Sequence, residues 1–137
     1  MAIQLSQAVR DAKLDAIETT IAASALLDIY DLAAGAPAAC SDSITGTLLS
    51  HIVLPADWMA AASGGTKALA RTWSDTDTTG SGTADFFRIL NATTSDCGLQ
   101  GTVSSSDGSG DMILDNPVIA PGQTVTITGF TLTEGNA

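Results

Sequence analysis

The sequence predicts a mainly β protein, an antiparallel sandwich of jelly-roll-like order with one N-terminal helix, and three observations predict it. About seven short runs of β-branched and apolar residues are punctuated by Gly, Pro, Asn, Asp and Ser turns. Helical periodicity is confined to residues 6–21. The stretch Gly82-Thr-Ala-Asp-Phe-Phe-Arg-Ile-Leu90 holds two of the three phenylalanines and is apolar on both faces, which suits a central strand.

The 137 residues make one domain, with an arm over 1–5, a helix over 6–21 and the sandwich over 25–133. Charged residues are only 15% of the chain, against roughly 25% in an average globular protein. That composition suits a durable surface or assembly protein. Fifteen acidic residues against five basic ones give a net charge of −10. Without clustered Lys and Arg, no nucleic-acid partner is expected. No apolar run is long enough to span a bilayer and no signal-peptide pattern opens the chain, so synthesis in the cytoplasm and no membrane partner are expected. Cys40 and Cys97 form no CxxC motif. Cytoplasmic synthesis favours two buried thiols, and a bridge closing a long loop is the alternative.

In chain order, Ser6 is the N-cap of a helix whose stripe is Leu5, Val9, Ile17 and Ile21. Residues 25–32 form the first strand, with Leu27 and Ile29 on one face. A loop over 33–42 leads to a strand over 45–54, ended by Pro55. Asp57 caps a short helical turn through Trp58, Met59 and the alanines, broken by Ser63-Gly64-Gly65. A strand over 67–74 carries Leu69, Arg71 and Trp73 on one face. After the central strand come strands at 97–104, 112–114 and 124–133, the last alternating Val125 and Ile127 with threonines.

Candidate chemistry is sparse. His51 is the single histidine, sits in an apolar strand and lacks a nucleophile motif such as G-x-S-x-G. No catalytic constellation results, and no enzyme activity or cofactor is expected. Asp75-Thr-Asp77-Thr-Thr-Gly80 begins like a calcium loop, but Phe86 stands where the bidentate Glu belongs. Asp107-Gly-Ser-Gly-Asp111 reads equally as a turn. No metal site is expected. Trp58 and Trp73 invite a sugar-stacking reading, although packing is the commoner use of such residues.

Several segments resemble small virion proteins of tailed bacteriophages: Asp15-Ala-Ile-Glu-Thr-Thr-Ile21, Leu54-Pro-Ala-Asp-Trp58, Ala61-Ala-Ser-Gly-Gly65, Gln100-Gly-Thr-Val103, Leu114-Asp-Asn116 and Gly122 to Thr133. The resemblance implies a capsid cement or decoration protein, a trimer on the outer surface of the head with the major capsid protein as partner. Candidate contacts are the arm (Met1, Ala2, Ile3, Gln4 and Leu5) and the block Trp58, Met59, Ala60, Ala61 and Ala62, since terminal arms order on binding and small side chains permit close approach. The alternatives are a tail or fibre component that binds the host surface, or a carbohydrate- or calcium-binding module using the tryptophans or the Asp loops.

Overall fold

The computed structural model describes residues 2–32 and 34–135, so Met1 of the predicted arm lies outside the described residues. Helix α1 spans Gln7–Ile21, and the Ser6 hydroxyl caps it by accepting the Val9 N–H at 3.3 Å. Its buried stripe is Leu14 and Ile21 with Ile17 beside them, while Val9 is 46% exposed. The expected stripe holds at Ile17 and Ile21 and fails at Val9, for a geometric reason. Fourfold spacing advances about 40° per step, so Val9 and Ile21 point roughly 120° apart.

Ten strands follow: β1 (Leu26–Asp31), β2 (Thr47–Val53), β3 (Thr66–Ala68), β4 (Trp73–Asp75), β5 (Gly82–Thr83), β6 (Phe86–Leu90), β7 (Cys97–Ser104), β8 (Met112–Leu114), β9 (Val118–Ile119) and β10 (Val125–Thr133). The large sheet runs β2-β1-β6-β7-β8-β10-β3, with β4 also on β10, and β5 pairs β9 separately. The chain is thus mainly β with one helix. The sheet is mixed rather than wholly antiparallel, because β8 runs parallel to β7.

As its sequence suggests, β6 is central: it pairs β1 and β7, and Phe86, Phe87 and Ile89 are all buried. The expected run from residue 82 breaks before it. Gly82 and Thr83 belong to the small β5–β9 ribbon, and Ala84 and Asp85 donate their N–H groups to Pro117 and Tyr30.

The predicted strand over 67–74 is interrupted as well. Thr131 pairs Ala68 and Ile127 pairs Trp73, so four steps along β10 face five on the other side. The extra residue splits β3 from β4 as a bulge would. It leaves Arg71 exposed while Trp73 is buried. The turn of helix expected after Asp57 is absent too. Ala60 donates to the Ala68 carbonyl and Ala70 to that of Trp58, so this segment is extended and paired. A turn so short gains too little to compete with such a ladder.

The sheet curls over a common core in a sandwich-like arrangement, and its two ends meet. The Ser50 hydroxyl of β2 donates to Asp75 of β4 at 2.7 Å, and Gly80 N–H bonds the Leu49 carbonyl at 3.1 Å. Inside, Trp58, Trp73, Phe130 and Phe87 form a chain of tilted and edge-on rings with successive centroids 5.9, 5.6 and 5.6 Å apart. Such contacts contribute beyond the area they bury.

Cys40 and Cys97 are bonded, with Cα atoms 5.4 Å apart across a sequence separation of 57. The expectation of two thiols is thereby corrected. It weighed compartment alone, whereas the fold lays the 37–42 loop over β6 and β7. Gln100 Nε2 bonds the Pro37 carbonyl there, and Arg88 bonds the carbonyls of Ala39 and Asp42.

Candidate interaction surface

The predicted contact block divides in two. Trp58 and Met59 are 0% and 1% exposed, which removes both from any free surface. The Trp58 indole N–H bonds the Ala22 carbonyl, and that of Trp73 bonds the Trp58 carbonyl, each at 3.1 Å. Enclosed and bonded in this way, neither ring can stack a sugar. Ala60 and Ala61 are exposed and Ala62 half-buried. In the arm, Ile3 is 83% exposed, Ala2 and Gln4 are exposed and Leu5 is half-buried.

The helix holds the 58–67 segment with its acidic residues, which the sequence suggests are mere surface decoration. Glu18 accepts the N–H groups of Trp58 and Met59, Asp15 that of Ala62, and Asp11 that of Gly65. Lys67, 2% exposed, places its ammonium 2.7 Å from Asp15, 3.0 Å from Glu18 and 2.8 Å from the Ala60 carbonyl. Burial pulls the Lys67 pKa down, but its bonds to Asp15 and Glu18 outweigh that and hold it above the ordinary value. The same bond, with the Ala62 N–H, holds Asp15 below the ordinary carboxylate range. A Cβ at residue 98 would lie 2.3 Å from Ile21, so Gly98 lets the far end of the helix close onto β7.

A second polar group crosses the outer face of the sheet. His51, Asp28, Arg88 and Gln100 stand in register on β2, β1, β6 and β7. His51 Nδ1 bonds Asp28, which also accepts the Tyr30 hydroxyl at 3.2 Å. Arg88, 8% exposed, donates to Gln100 Oε1 at 2.7 Å and to the Asp42 carbonyl at 3.0 Å. An oriented histidine beside a carboxylate is half of a nucleophile-activating set. Among the described residues no hydroxyl or thiol is hydrogen-bonded to His51.

Burial first, and the Asp28 carboxylate second, push Tyr30 up to about 12, against the opposing charge of Arg88. Tyr30 is the only tyrosine, so its titration is readable directly. At about pH 11 the phenol is expected to stay mostly protonated, where an ordinary tyrosine is mostly ionised. Asp28→Asn should move the midpoint back toward the ordinary value. Near-ultraviolet tyrosinate absorbance checks both; an ordinary midpoint in the wild type defeats the expectation. The stability tied to this phenol is present below its ordinary pKa and is lost as the pH rises through the folded one.

In the two calcium-like loops Asp75 and Asp111 use their carboxylates for hydrogen bonds within the chain. Asp75 accepts from Ser50 and the Asp77 N–H, and Asp111 accepts both the N–H and the hydroxyl of Thr102. Among the described residues no three metal-ligating side chains gather. No helix there is long and apolar enough to cross a membrane. Compared with protein-family models, curated proteins and solved structures, the chain matches none.

Proposed function

We propose that this chain is a non-enzymatic structural protein of a tailed-phage virion. In this reading it is a cement protein, carried as a homotrimer on the outer surface of the head and bound to the major capsid protein. What carries the reading is the resemblance of segments spread from Asp15 to Thr133. The use of polar groups supports it: Lys67, Arg88 and Thr78, all buried, bond within the chain and hold loops in place. A cement protein needs such rigidity, since binding only the assembled shell adds to particle stability by mass action. Threefold placement asks for a heterologous interface that closes on itself. The exposed arm and the Ala60–Ala61 corner are the surfaces assigned to neighbours, now without Trp58 and Met59.

Quantitative mass spectrometry of purified virions tests this. The expected copy number approaches that of the shell subunit, and deletion of residues 1–5 is expected to lower occupancy. A few copies per particle would move the protein to the tail or a fibre. Absence from the particle would end the virion reading.

A further inference from the structure

The sheet has an opening in its interior. Strand β8 lies between β7 and β10, pairing Met112 with Val103 on one side and with Phe130 on the other. Below Met112 its line stops, because the chain turns away at Gly110, whose N–H bonds the Ser104 hydroxyl at 2.9 Å. Residues 99–102 of β7 pair only β6, and residues 131–133 of β10 pair only β3. A gap continuing the line of β8 is therefore left between them.

The gap is finished as a receptor for a strand would be. Asp111 Oδ2 accepts the Thr102 N–H at 2.9 Å, taking the place of a neighbouring strand's carbonyl. Thr102 and Gln100 face alternate residues of β6, so the Gln100 N–H points to the same open side. The gap opens into a hollow of about 350 Å³ whose lining includes Phe87 and Phe130 with half-buried Leu99 and Leu132. A Cβ at residue 101 would stand 2.8 Å from the Phe87 ring, so Gly101 keeps it clear. Apart from Asp111 the lining is uncharged.

We infer that this gap receives the segment Ala2–Leu5 of a second copy of the chain as an added strand. Four residues match the length left open. Extended, the segment puts Ile3 and Leu5 on one face and Ala2 and Gln4 on the other, an apolar side for the rings and a polar side for water. It carries no charged side chain, which matters between molecules that each bear −10. In its own chain Ile3 is 83% exposed, so the gap is not its resting place there. Backbone pairing would supply affinity and the alternating side chains specificity. Exchange of this kind joins copies whether or not they sit on a capsid.

The test uses the isolated full chain with its native disulfide intact, so that failure leaves the virion reading standing. A Gln4→Cys chain is mixed with a tagged Thr133→Cys chain, both positions lying on the water-facing side of the added strand; glutathione disulfide takes up the two hydrogens and two electrons of the thiols and leaves as two molecules of reduced glutathione. The expected product is a covalent pair of chains, mapped by mass spectrometry to a 4–133 bridge. Independently, Ile3→Asp, a change at the surface, is expected to weaken self-association about tenfold or more by light scattering. A wild type monomeric at every concentration, no bridge between chains, or a bridge only within one chain carrying both cysteines would each overturn the inference.

Discussion

Lys67→Met is expected to destabilise the fold by roughly 3–5 kcal/mol, the usual cost of removing one member of a buried ion pair. For a domain of this size that lowers Tm by roughly 10 °C or more. The side chains are similar in volume, so the loss is chiefly electrostatic. Glu18 is only 17% exposed, and without the ammonium its charge stays in place among the Trp58 and Met59 N–H groups. The pH profile carries a second signature. Asp15 titrates lower in the fold than its ordinary 3.8, so its contribution is present above that pH and lost as pH falls through the folded value. Lys67 titrates above its ordinary 10.5, so its contribution holds below that pH and is lost as pH climbs past the folded value. Urea unfolding from acidic to strongly alkaline pH reads both: a smaller acid slope and a smaller alkaline slope are expected in the variant. A loss below about 1 kcal/mol, the range of an exposed pair, would show that the cluster contributes little.

The double variant Cys40→Ser/Cys97→Ser is expected to lose about 4 kcal/mol on the chain-entropy account, given the separation of 57 residues. Reductant added to the wild type should reproduce most of that loss. Part of the loop should stay in place, because Arg88 still bonds the Ala39 and Asp42 carbonyls and Gln100 that of Pro37. Proteolysis confined to residues 34–46 after reduction would therefore precede global unfolding. Equal unfolding midpoints with and without reductant would count against the bridge as a source of stability.

The legible parts of the fold were those set by local pattern. Ser6 and the run after it mark the helix, and the doubly apolar 86–90 run marks the central strand. What stayed hidden depends on partners distant in sequence. Leu14 is an ordinary apolar residue until β7 and β3 define which side of the helix is covered. Asp11, Asp15 and Glu18 look like solvent-facing charges, and only the fold shows four loop N–H groups aimed at them. Trp58 beside a run of alanines suggested a surface corner, yet its indole lies in the core beneath the end of the helix. The opening below β8 has no local signature, because it is made of strands that stop and not of residues that announce themselves. Gly101, kept free of a side chain beside Phe87, is the nearest thing to a signal for it.

The position of β10 has a consequence for synthesis. Both β3 and β4 pair with it, and Thr66 meets Thr133, 133 − 66 = 67 residues later. On the ribosome, one side of the sheet waits for the final nine-residue strand. Until it emerges, the edges of β3 and β4 that face β10 stay open to other nascent chains. Pairings this distant in sequence carry a loop-closure cost that slows folding relative to a chain of local contacts. A chain that stops before Val125 keeps every residue of β3 and β4 but loses the one strand that both pair with.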